Sequence, residues 1–209
     1  MGLLTKLFAA APAPSDDFWY APIEGVSNTG LRISPSTALA IGAVFACVRV
    51  LAQSLAQVPL IVYRRLPDGG KERATDHPLY HVLHDQPNRR QTSFQFREMM
   101  MGHCTLRGNA YAQIVPGPRG FADQLIPLHP DYVLPDLMPT GGIRYRYWPP
   151  NREVRYFSQE QIFHISTMSD DSVQGLSLVP LARESMGLAR ATEEYGARFF
   201  GQGARPRGL

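Results

Sequence analysis

Cysteine is scarce in this chain, with only Cys47 and Cys104 among 209 residues. Two thiols are too few for a disulfide framework or a cysteine-rich metal site. Each falls in an apolar helical stretch and reads as a small buried hydrophobe, in keeping with a reducing cytoplasm. Excess charge is scarce too: 21 basic against 18 acidic side chains leaves +3. That total permits a polyanionic partner without requiring one, since phosphate binding rests on clustered Lys and Arg rather than on the sum. No run of about 20 residues is apolar throughout, as a membrane-crossing helix needs. The longest candidate, Ala38 to Pro59, is interrupted by Arg49, Gln53 and Gln57. The first residues carry one lysine and an Ala-Pro stretch, which reads as a flexible arm rather than a secretory leader. Nucleophile-elbow, phosphate-loop, dinucleotide and zinc-protease signatures are all missing, so no catalytic cofactor is implied.

What is present is organised around Leu31 to Arg65. Ser34 or Ser36 can cap a helix and Pro35 suits its first position, where no backbone N–H is needed. Leu39, Ala43, Ala46, Val50 and Ser54 recur at helical spacing, and a helix this apolar has to be covered by other elements. Pro59 ends it, and Leu60 to Tyr63 reads as a buried strand. Before it, residues 1–33 form an expected flexible arm carrying one aromatic triplet, Phe18, Trp19 and Tyr20. That triplet either tucks onto the body of its own chain or is a candidate anchor on a neighbouring subunit, because exposed aromatics supply much of the energy at interfaces. After it, Pro67-Asp68-Gly69-Gly70 signals a hairpin turn. His77 to His84 predicts a short helix, and Thr92 with Gln95 has capping-box spacing for a second long one with Phe94, Met99, Met101 and Leu106. Strands are expected at 109–115, 124–128, 132–134, 143–148, 152–157 and 161–165, and a last helix at 178–200 capped by Ser177. Residues 34–209 thus read as one α+β domain, with helices at 34–57, 94–107 and 178–200 against a mixed, mostly antiparallel sheet.

Three constellations could carry function. His77, His81 and His84 lie at i, i+4 and i+7 and could face one way, but no Cys or Glu completes a metal site beside them. Asp170 and Asp171 precede a helix, where they can satisfy its dipole or bind a cation. On the second reading the chain is a metal-dependent nuclease or hydrolase. Arg144, Arg146, Arg152 and Arg155, interleaved with Tyr145, Tyr147 and Trp148, outline a possible DNA-contacting surface. An ordinary half-exposed strand produces the same alternation.

Taken in order, several short motifs resemble the portal proteins of long-tailed bacteriophages. They are Val44 to Arg49 continuing through Val58-Pro59-Leu60, His77-Pro78-Leu79 with Gln86-Pro87-Asn88, and Phe94 to Met101 with Gly108-Asn109-Ala110-Tyr111. Leu125 to Leu128, Ile162 to Ile165, Gly175-Leu176-Ser177 and Ala197 to Phe200 with Gly203-Ala204 complete the series. The chain departs from the family pattern at Leu178, where proline usually follows the serine. The resemblance covers about residues 38–209 and implies the wing-like front part of a portal subunit. Stem, clip and channel loop would then follow Leu209, as in a truncated product or expressed fragment. It further implies a non-enzymatic homo-oligomer, a dodecamer in the full-length family, that passes double-stranded DNA. Its implied partners are the capsid, the terminase and head–tail adaptor proteins, with no membrane. Its implied places are the virion vertex and, during assembly, the host bacterial cytoplasm.

Overall fold

The computed structural model describes residues 26–139 and 141–202. Phe18, Trp19 and Tyr20 lie outside them. Residues 26–33, expected to end the flexible arm, instead close a tight turn. The Ser27 N–H donates to the Leu31 carbonyl at 2.9 Å, and Gly30 takes the positive φ of 78° that the reversal needs. Ile33 is thereby driven into the interior beside Ala38, Leu106 and Val179.

The expected single helix at 34–57 is two helices, α1 (Pro35–Leu39) and α2 (Gly42–Gln57). Ser34 caps α1 and Pro35 sits in its first turn, as the sequence predicts. Between them Ile41 leaves the helical backbone, with ψ 117°, and buries its side chain. α2 ends at Val58, before Pro59, but the strand that follows is not the expected one. Leu60 is exposed, and pairing starts only at β1 (Tyr63–Arg65), whose antiparallel partner across the predicted turn is β2 (Lys71–Arg73).

A short helix α3 (Pro78–Tyr80) runs into a wider π-helical turn at His81–Asp85. Then comes α4 (Ser93–Arg107). Its capping box forms as read: Thr92 Oγ1 accepts from the Gln95 N–H, and Gln95 Oε1 accepts from the Thr92 N–H. Arg97 projects from α4 and donates through Nε and Nη2 to the Ala56 carbonyl, at 3.2 and 2.8 Å. A cation thus meets the unpaired carbonyl end of α2, and its burial lowers the guanidinium pKa.

Among the described residues the strands divide into three small sheets, and every pairing there is antiparallel rather than mixed. β3 (Asn109–Pro116) lies between β4 (Ala122–Leu128) and β8 (Ile162–Ser166). β6 (Ile143–Tyr147) lies between β5 (Val133–Leu137) and β7 (Arg155–Ser158). The two-residue period of β3 builds the core on both sides of it. Ala110 and Ala112 pack with Phe96, Met100 and Cys104 of α4, while Tyr111 packs with Tyr145 and Phe157 of the other sheet. Cys104 is the buried hydrophobe expected; Cys47 is exposed on α2.

The last helix is also divided, into α5 (Leu178–Leu181) and α6 (Arg183–Gly201). No described helix is long and apolar enough to cross a membrane.

Candidate functional site

Two motifs 66 residues apart in sequence meet where α4 turns into β3. Gly108 caps α4 in the left-handed region at φ 78°, and its N–H donates to the Cys104 carbonyl. A β-carbon on Gly108 would strike the backbone of Gly175, and one on Gly175 would strike Gly108 and Thr167. Only glycine lets the two main chains approach this closely.

Asn109 then treats Gly175 as a strand partner. Its Oδ1 accepts from the Gly175 N–H at 2.8 Å, and its Nδ2 donates to the Gly175 carbonyl at 3.0 Å. The same Oδ1 accepts from His164 Nε2 at 3.0 Å, which leaves Nδ1 to accept from the Tyr145 hydroxyl at 3.2 Å. Tyr111 stacks on the imidazole with ring centroids 4.4 Å apart. Burial drives the His164 pKa down to about 4, so at neutral pH the ring is uncharged and each nitrogen has one role. Thr167 and Ser177 finish the joint. The Thr167 N–H donates to the Gly108 carbonyl at 2.8 Å, and Ser177 Oγ donates to the Leu106 carbonyl at 2.7 Å. Ser177 also caps α5. This network ties α4, both three-stranded sheets and the start of the last helices into one body. Its hydrogen bonds and close glycine contacts fix the geometry of the joint.

Of the acidic pair, Asp170 is exposed and Asp171 has a local task. Asp171 Oδ1 accepts from the Val173 and Gln174 N–H groups, each at 2.8 Å, and from Ser169 Oγ at 2.9 Å. Partial burial alone would raise its pKa, but the backbone donors outweigh that and hold it below the usual carboxylate range. The carboxylate closes its own loop rather than facing a helix N-terminus as expected. The histidines likewise serve separately. His77 Nδ1 accepts from the Leu79 N–H, while His81 and His84 both reach Asp85, at 3.1 and 2.6 Å. Among the described residues no three potential ligands gather around a metal position.

A second histidine pair, missed in the sequence, sits at the end of α4. His103 and His129 meet edge to face at 5.4 Å beside Asp131, which Arg107 grips through Nε and Nη2 at 2.5 and 3.0 Å. Burial, the Arg107 charge and then His129 lower the His103 pKa to about 4.

The four arginines do not share a face. Arg144 and Arg146 point the same way from β6, opposite Ser158 and Tyr156 of β7. Arg144 lies 5.1 Å above the Tyr156 ring and 3.4 Å from Asp136 Oδ2, and Arg146 lies 5.4 Å above Trp148. Arg155 pairs with Tyr147 on the other face and covers Phe157 at 4.8 Å. Arg152 stands in the turn before β7, where its N–H donates to the Pro149 carbonyl.

The joint lies inside the region that a family profile described as phage portal protein matches, residues 42–209. The chain belongs to that family. It is 32% identical to the portal protein of Enterobacteria phage HK97, over 83% of this chain and 41% of that protein. It is 29% identical to the probable portal protein of Streptomyces phage phiC31, over 99% of this chain and 49% of that one. The chain therefore spans less than half the length of either relative. Among solved structures it resembles a chain in the neck of an empty GTA particle computed with C6 symmetry. The TM-score there is 0.71 at 25% identity, over 83% of this chain and 47% of that chain. An HK97-family portal protein from Corynebacterium diphtheriae shares the fold, with a TM-score of 0.55 at 18% identity over 82% of this chain and 50% of that one.

Proposed function

We propose that this chain is the wing-region part of a portal subunit, a structural component of a ring at the capsid vertex. Family membership over residues 42–209 carries this reading. The Gly108–Asn109–Gly175 joint supports it, since a ring under load needs subunits that do not deform. The full ring would hold twelve copies, pass double-stranded DNA during packaging and ejection, and join capsid, terminase and head–tail adaptors. It would assemble in the bacterial cytoplasm and function in the virion. The role is structural rather than catalytic, and the nuclease or hydrolase alternative has no support in the family or in the position of Asp171.

Negative-stain images of the purified chain test the ring directly. Annular particles with a central channel are expected; single-chain particles at every concentration would contradict assembly by this chain. The DNA part rests on Arg144 and Arg146, which share one sheet face, while Arg155 lies on the other face and Arg152 in the turn before β7. Duplex binding should weaken steeply with salt, and Arg144→Ala with Arg146→Ala should flatten that slope by about two phosphate contacts. An unchanged slope removes this face from the DNA path. Phe18, Trp19 and Tyr20 remain proposed interface anchors; replacing all three with alanine should loosen assembly without lowering the stability of the body.

A further inference from the structure

Both long helices at the ends of the described chain turn apolar stripes outward. α6 seats its small and polar side on the body. Gly187 lies against the Ser27 side chain, Glu184 accepts from the Asn28 N–H at 2.9 Å, and Arg190 pairs with Glu194 along that side. Its opposite side, continued back into α5, presents Leu181, Leu188, Tyr195 and Phe199 with Ser185 and Thr192 between them. Leu188 is 63% exposed and Tyr195 72%. α2 is similar. Val44, Val48, Ala52 and Ala56 face the body, and Ala43, Cys47, Val50, Leu51, Leu55 and Val58 face out. Val50 is 57% exposed and Leu55 49%. Apolar faces of this length are unusual on a free monomer. Neither stripe contains a charged residue, so covering them would bury no unpaired charge.

Among the described residues the two stripes do not cover each other. A closed ring needs head-to-tail contacts, in which each copy offers two different surfaces to its two neighbours. Resting on the ring reading above, we infer that the outward stripe of α5–α6 on one copy packs against the outward stripe of α2 on the next. The occupant of each face is thus a second copy of this chain. The pairing uses both faces and leaves neither in water, and ordinary ridge-in-groove helix packing suffices to form it.

Cys47 lies on the α2 stripe and supplies a native cross-linking thiol, whereas Cys104 is buried with its pKa raised to about 11 and stays silent. Leu181→Cys, Leu188→Cys and Tyr195→Cys, made one at a time in the 209-residue chain, would be treated with a short bismaleimide. The mass of each sample would be measured before treatment. At least one position should give a covalent ladder extending beyond the dimer, lost when Cys47→Ser is added. A ladder that persists with Cys47→Ser and stops at the dimer would mean symmetric α6–α6 pairing and overturn the inference. Monomers in which the new thiol resists iodoacetamide would assign the face to the chain's own remaining residues, again overturning it. Rings that form without any ladder would sink this pairing and leave the ring standing. Monomers with reactive thiols and no ladder would sink both.

Discussion

At the scale of single residues, Asn109 does the joining that a strand would otherwise do. It occupies both polar groups of Gly175 and one nitrogen of His164 from one 6% exposed side chain. Asn109→Ala leaves those groups buried without partners, so the loss should be about 2–3 kcal/mol, read as a lower urea midpoint at constant slope. Gly175→Ala forces two backbones apart and should be at least as damaging in the same assay. The histidines make stability depend on pH. His103 and His164 titrate near 4 in the folded chain against 6.5 as free groups. Between these values the unfolded chain binds more protons, so stability is complete above about pH 6.5 and falls as the pH drops toward 4. Denaturation at pH 7, 5.5 and 4.5 should show that decline, and His164→Gln should make it shallower. A flat profile would mean that the rings are not held neutral by burial.

At the scale of elements, local chemistry was readable and direction was not. The Thr92–Gln95 box, the Pro67–Gly70 turn and the caps at Ser34 and Ser177 follow from contacts within a few residues, and each formed. Thr92→Ala should cost α4 about 1 kcal/mol. Periodicity, however, reports that a stripe exists and not which way it faces. α2 reads as a helix that its own chain must enclose, yet only Ala52 and Ala56 are buried along it. On α4 the core anchors are Phe96, Met100 and Cys104, whereas of the four residues the sequence singles out only Leu106 is buried and Phe94 is exposed. Leu188→Ala should therefore change the stability of the isolated chain by no more than about 0.5 kcal/mol. Met100→Ala should cost about 2–5 kcal/mol by opening a cavity. Equal losses for the two would contradict the outward setting of α6. The joint was legible only in part. Gly108-Asn109 and Gly175-Leu176-Ser177 stood out as motifs, but nothing in the sequence pairs residues 66 apart or brings His164 and Tyr145 to them. Likewise the alternation of Arg144 and Arg146 was real, while the step to Arg155 crosses to the other face of the sheet.

At the scale of the whole molecule, a rigid interior is combined with uncovered helices at its margin. The interior is closed by small residues, glycine contacts and neutral hydrogen-bonded rings. The margin is apolar where a free monomer would be polar, which suits a part with neighbours on both sides. Family membership says what such a part belongs to, and the two outward stripes say how it could repeat. Light scattering of the purified chain across a hundredfold concentration range tests that account most directly. The mass should rise with concentration and level off at a closed ring near twelve copies. A constant monomer mass, with the helical stripes still reactive to solvent probes, would contradict it.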